Sequence, residues 1–199
     1  MNLTLTQLHC SYVESRLKKM FKKIVALCLV AIALTLTGCV SVGGGLQSFV
    51  DTTDGYEFLY PNGWIEVKVS DGPDVVFHDL VEATENVSVV ISPMVEEKTL
   101  SDLGTPTDVG YRLSKNAIAP KDSGREAELV NAEAREYKTK TYYKLEYAVK
   151  LADGRERHNL ASVAVSRGKL FTINISTTEK RWEKVNDKFQ QVINSFSVY

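Results

Sequence analysis

Residues 142–175 read YYKLEYAVKLADGRERHNLASVAVSRGKLFTINI. Tyr143, Leu145, Tyr147, Val149 and Leu151 alternate with polar residues, and a strict period of two is the pattern of a strand with one face turned to a core. Ala152-Asp153-Gly154-Arg155 follows, and an Asp-Gly pair between two alternating runs is a hairpin turn. Ala161, Val163 and Val165 then continue in phase, and Arg167-Gly168-Lys169 turns the chain again into Phe171, Ile173 and Ile175. Three consecutive strands joined by short turns predict an antiparallel meander with one buried face.

On the C-terminal side, Trp182, Val185, Phe189, Val192, Ile193 and Phe196 recur at helical spacing, which predicts a helix from about Thr178. Ser176 and Glu179 have the S-x-x-E form of a capping box at its start. On the other side, Thr105 before Pro106 predicts a second helix, since Thr caps free N–H groups and Pro fits the first turn. Val109, Leu113 and Ala117 mark its apolar face, and Pro120 ends it. Further upstream lie short β-type runs, Tyr56 to Tyr60, Trp64 to Val67, and Val75 to Phe77, separated by Pro61-Asn62-Gly63 and Asp71-Gly72-Pro73. Val87 to Ile91 is nearly continuous in apolar residues and is expected to be buried on both faces. Grouped strands with helices before and after them predict an α+β fold, an antiparallel sheet covered by helices on its faces. No internal repeat or domain boundary follows Phe49.

The N-terminal part has a different composition. Lys22-Lys23, an apolar run from Ile24 to Leu36, and small residues up to Cys39 form the parts of a signal peptide in order. The run is too short to span roughly 30 Å of hydrocarbon. It ends in Leu36-Thr37-Gly38-Cys39, which resembles the bacterial lipobox, so Cys39 is expected to carry the lipid anchor. Several acyl chains give a lasting attachment where one gives a marginal one. Residues 1–38 are thus expected to be a signal peptide, with Met20-Phe21-Lys22-Lys23 a more natural start than Met1. Residues 39–48, with Gly43-Gly44-Gly45, read as the acylated cysteine and its flexible linker, and residues 49–199 as the domain. Cys10 and Cys28 lie upstream of Cys39, so acylation leaves no thiol for disulfides or catalysis.

Charge and motif content narrow the function classes. The 24 basic and 25 acidic residues show no basic excess, against nucleic-acid binding. Five bases and one acid precede Cys39, so 19 bases and 24 acids follow and the exported part is mildly acidic. There is no Gly-x-Ser-x-Gly, phosphate-cradling loop, Rossmann glycine pattern or paired-His zinc motif, and no enzyme is expected. Only His78 and His158 lie beyond Cys39, which rules out a His-rich cage there. His78 and Asp79 are strand neighbours with side chains on opposite faces, poor joint ligands. For His158, a site of one imidazole, carboxylate and water suits zinc or manganese chemically. Tyr56, Phe58, Tyr60, Trp64, Tyr142, Tyr143 and Trp182 fall at strand and helix periods that mark them as core. The charged runs Arg155-Glu156-Arg157 and Lys138-Thr139-Lys140 are ordinary strand ends that could also meet a partner.

Several strings, taken together and in order, resemble the PsbP family of extrinsic photosystem II proteins, in the lipoprotein form found in cyanobacteria. They are Gly55-Tyr56-Glu57-Phe58-Leu59-Tyr60-Pro61 with Trp64, Val75-Val76-Phe77-His78-Asp79, Glu85-Asn86-Val87-Ser88-Val89 and Asp102-Leu103-Gly104-Thr105-Pro106. Tyr142-Tyr143, Gly168-Lys169-Leu170-Phe171, Lys180-Arg181-Trp182 and Ser195-Phe196-Ser197-Val198 continue the match to the C-terminus. The resemblance implies an α-β-α sandwich around a central antiparallel sheet, a lipid-anchored monomer on the lumenal face of the thylakoid membrane, and photosystem II subunits or assembly intermediates as partners. It implies a part in assembly or stabilisation of that complex and its oxygen-evolving side. Plant relatives help retain calcium and chloride through an N-terminal extension. Here a glycine linker occupies that region, so any such role is indirect. Some members bind zinc or manganese through a His on the strand after the long hairpin turn and an Asp just before Lys-Arg-Trp. The matching residues are His158 and Glu179, which suggests a metal-binding delivery or storage module as the alternative function.

Overall fold

The computed structural model of the chain describes residues 45–199. The signal segment and Cys39 lie outside the described residues. The strands are β1 (Leu46–Asp51), β2 (Tyr56–Pro61), β3 (Trp64–Glu66), β4 (Val75–Asp79), β5 (Asn86–Pro93), β6 (Glu126–Tyr137), β7 (Lys140–Lys150), β8 (Glu156–Ser166), β9 (Lys169–Thr178) and β10 (Ser197–Val198). Helix α1 spans Pro106–Leu113 and α2 spans Glu179–Ser195. A seven-stranded antiparallel sheet has the order β3-β4-β5-β9-β8-β7-β6, and β1, β2 and β10 form a small second sheet. Strand β1 starts at Leu46, so the last residues of the stretch read as linker belong to this sheet.

The meander is present as β7, β8 and β9, but its central strand is covered on both faces. Leu160 and Ala164 of β8 join one apolar cluster, and Ala161 and Val163 join another. The expectation of one buried face fails because each face of the sheet receives its own helix. On one face, Phe189, Val192 and Ile193 of α2 and Tyr56 and Phe58 of β2 close over Phe171, Ile173 and Ile175. On the other, Val109 of α1 and Ile118 pack over Leu145, Tyr147 and Val149. The architecture is the α+β sandwich expected, a central antiparallel sheet between two helices.

Strand β5 departs from its reading. Val87 and Val89 are fully buried under the α2 layer, while Ser88 and Val90 on the opposite face are only half covered. Helix α1 sits over β6 and β7 and does not reach that far, so an apolar run overstated the burial.

Helix α1 begins as expected, with Thr105 and Asp108 exchanging capping bonds. Its end differs. The backbone widens to a π turn over Ser114–Ile118, which inserts one extra residue and brings Ser114 and Ile118 inward in place of Ala117. Two tyrosines of β7 hold the helix down: Tyr143 Oη donates to the Gly104 carbonyl at 2.9 Å and Tyr147 Oη to the Gly110 carbonyl at 3.0 Å. Gly110 permits that approach, since a Cβ there would stand 2.8 Å from Leu129.

Candidate functional site

His158 is a buried ionisable side chain on β8, in the middle of the seven-stranded sheet. Its neighbours follow from strand register. On β8, His158 pairs with Ala148 of β7 and Thr177 of β9. Positions two residues away on each flanking strand share its face. These are Glu146 and Glu179, the latter at the first position of α2.

Both carboxylates reach the imidazole. Nδ1 lies 3.0 Å from Glu179 Oε2 and 3.3 Å from Oε1, and Nε2 lies 2.8 Å from Glu146 Oε1. The Trp182 indole stacks on the ring, with centroids 3.8 Å apart and planes 10° from parallel. His158 is buried, whereas the Glu179 side chain is 41% exposed, so solvent approaches the group from the Glu179 side. A doubly protonated ring donates to both acids. With a metal ion on Nδ1, the remaining N–H still donates to Glu146, the arrangement that orients metal-bound histidines generally. A nitrogen and an oxygen 3.0 Å apart can share one ion at bond lengths of about 2.0–2.2 Å. The pair of donors, one imidazole and one carboxylate, therefore fits zinc or manganese, with water completing the sphere.

The expected capping box at Ser176 and Glu179 does not form. Helix α2 begins after Thr178, which makes no side-chain cap, because β9 stays extended through Thr178 and carries Ser176 onto the opposite face of the sheet. Glu179 is free to turn to His158. The start of α2 is tied down otherwise: buried Glu85 accepts from Thr177 Oγ1 at 2.7 Å and from Arg181 Nε at 2.5 Å, and Arg181 also meets Glu82 at 3.1 Å. Hydrogen bonding to Glu85 raises the Arg181 pKa above its ordinary value.

His78 and Asp79 point apart, as their spacing requires. His78 Nδ1 lies 2.9 Å from the Asp79 carbonyl. The Asp79 carboxylate accepts the N–H groups of Val81 and Glu82 and Trp64 Nε1–H. The Glu82 backbone bond is the foremost cause holding its pKa below the usual carboxylate range.

Sequence reasoning missed Glu146. Its parity with His158 across the Asp-Gly hairpin was the available signal, since Leu151 N donates to the Arg155 carbonyl and sets the register. A third acidic group, Asp51, Asp54 and Asp74, gathers beside β2. It is already engaged, with Lys169 Nζ 2.8 Å from Asp54 and the Tyr56 hydroxyl donating to Asp74.

A family model described as PsbP matches residues 44–198. CyanoP of Thermosynechococcus vestitus is 50% identical over 184 residues, covering 90% of this chain and 100% of the relative. CyanoP of Synechocystis sp. is 52% identical over 187 residues, covering 92% of this chain and 100% of the relative. The solution structure of cyanobacterial PsbP (CyanoP) from Synechocystis sp. matches with a TM-score of 0.68 at 54% identity, over 81% of this chain and 96% of that one. The strings from Gly55 to Val198, the sheet between two helices and these similarities agree, and the chain belongs to the PsbP family.

Proposed function

We propose that this chain is a non-enzymatic lipoprotein of the thylakoid lumen that docks on photosystem II or its assembly intermediates and helps assemble or stabilise the complex and its oxygen-evolving side. The observation that carries this reading is the similarity to CyanoP over nine-tenths of the chain at 50% identity. An acyl anchor on Cys39 confines the domain to the membrane surface and raises its effective concentration near membrane-embedded subunits. Among the described residues no helix is long and apolar enough to cross a membrane.

Affinity purification of the tagged chain from gently solubilised membranes tests the reading. Photosystem II reaction-centre subunits, enriched in incomplete complexes, are the expected co-purifying proteins, and recovery of none would overturn it. Labelled fatty acid tests the anchor separately: wild type takes up label and Cys39→Ala does not.

A second reading, a module that binds zinc or manganese, is favoured by the 3.0 Å approach of His158 Nδ1 and Glu179. Titration of wild type and His158→Ala with either metal is expected to show binding only in wild type. Equal binding by both would remove His158 from any site.

A further inference from the structure

The sheet face opposite His158 carries a different kind of surface. Between α1 and the far edge of the sheet lies an open cleft of about 570 Å³. Its floor is polar, formed by Ser88 of β5, Thr172 and Asn174 of β9 and Asn159 of β8, and its wall on the α1 side is apolar, with Leu113 and Ile118. Arg125, Arg155 and Arg157 stand around it, and no acidic side chain lines it. Such an imbalance is notable in an exported chain with five more acids than bases.

Arg157 has no ion-pair partner among the described residues. Its Nε and Nη2 donate to Ser176 Oγ at 3.0 and 2.7 Å, and Nη2 also donates to the Thr84 carbonyl at 2.6 Å. Arg155 meets only Asp153, 2.7 Å away, in a pair exposed on both sides and therefore weak. Burial first, then the positive charges of Arg155 and Arg125, push the Arg157 guanidinium below its ordinary pKa. The cations thus crowd one another, and the charge of Glu85 offsets this only in part.

The hydrogen bonds of the floor are oriented by the same residue. An arginine can only donate, so the Ser176 hydroxyl accepts from it and must pass its own hydrogen on. That hydrogen goes to Asn159 Oδ1 at 2.8 Å, and Asn159 Nδ2 in turn donates to Asn174 Oδ1 at 3.2 Å. The amide of Asn174 is left with its NH₂ as the free end of the relay. Charge and dipole therefore present the same sign to one cavity.

We propose that this cleft binds an oxyanion, a carboxylate or phosphate group, held by Arg157, Arg155 and Arg125 with the Asn174 amide as an added donor and the apolar wall receiving the remainder of the ligand. Guanidinium groups match both oxyanions through paired N–H donors. The group can come from a free small anion or from acidic side chains of a polypeptide.

The test is an NMR titration of the ¹⁵N-labelled full chain in detergent, with inorganic phosphate and separately with a hexaglutamate peptide, at constant ionic strength. Saturable shifts of the Asn174 side-chain amide and the Arg157 Nε–H are expected. The Arg125→Gln/Arg155→Gln double variant changes two exposed rim residues and should bind at least ten-fold more weakly with its other signals unmoved. Saturation by phosphate alone identifies a free anion as the source, and saturation by the peptide alone identifies acidic side chains. The proposal is overturned if neither probe moves these signals, if the shifts spread linearly over all surface cations, or if the double variant binds as wild type does.

Discussion

The two faces of the seven-stranded sheet are built from the same strands yet have opposite character. Under α2 the odd-numbered residues of β4, β5 and β9 form a sealed aromatic and aliphatic layer, and acids gather at its end: Asp79, Glu82, Glu85, Glu146 and Glu179, around Arg181 and His158. On the opposite face, beside α1, the alternate residues of β5 and β9 that floor the cleft are mostly serine, threonine and asparagine, and the ionisable groups lining it are arginines. A strand's period of two sorts one sequence onto two surfaces, so composition along the chain conceals a separation of charge across it. One face supplies stability and a histidine clamped by carboxylates. Its opposite is left half open by a short α1.

Adjacent residues of β9 give the sharpest contrast. Phe171 is fully buried and lies 6.1 Å from Tyr56 by ring centroids, whereas Thr172 faces the cleft. Phe171→Ala is expected to lower unfolding free energy by about 3–5 kcal/mol, the cost of a large core cavity. Thr172→Ala should stay within about 0.5 kcal/mol, as substitutions away from core and caps usually do. Urea denaturation of both variants measures the difference, and equal losses would show that the cleft face is packed more tightly than its open floor indicates.

The clamp around His158 ranks next. Glu146→Ala removes the acceptor at Nε2 from a buried ring and is expected to cost about 1–3 kcal/mol. Glu179→Ala removes a side chain that is 41% exposed and should cost less than about 1 kcal/mol after solvent screening. A reversed order would mean that the clamp is held from the helix and not from the sheet.

Much of this comparison was legible in the residues. The meander, the capped start of α1 and the apolar face of α2 all follow from period and cap chemistry, and His158 and Glu179 do meet. What escaped has physical reasons. Strand β6 is an edge strand rich in Glu and Ala whose alternation breaks at a bulge between Leu129 and Asn131, so no period marks it. Strand β1 looked like the end of a glycine linker because its pairing partner, β2, supplies the order. Ser176 and Glu179 have capping-box spacing, but the strand persists to Thr178 and tertiary partners claim both side chains. The cleft escaped because Arg125 is far in sequence from Arg155 and Arg157, and Glu156 between the latter two masks their shared direction.

Helix α1 decides how much of the second face is covered, and its cap is a modest lever on that. Thr105→Ala removes the bond from the Asp108 N–H to Thr105 Oγ1, expected to cost about 1 kcal/mol. Amide hydrogen exchange should quicken in α1 and remain unchanged in α2, because the two helices lie on opposite sides of the sheet.

A comparably small effect concerns the acid-rich end. The folded-state pKa of Asp79 is depressed by the N–H groups of Glu82 and Val81 and by Trp64, so its stabilisation is fully present above the unfolded-state value of about 3.9. It is lost as pH falls through the lower folded value, because the unfolded chain takes up the proton first. Asp79→Asn keeps an amide oxygen for the Val81 and Glu82 N–H groups but loses the acceptor for Trp64 Nε1–H, and the expected cost at neutral pH is about 1 kcal/mol. Its signature is a shallower decline of unfolding free energy between about pH 5 and pH 2 than in wild type. Arg181, which faces Asp79, Glu82 and Glu85, stays charged throughout that range. An unchanged acid slope in Asp79→Asn would move the pH sensitivity of this end from Asp79 to Glu82 and Glu85, whose pairs with Arg181 tie that turn to α2.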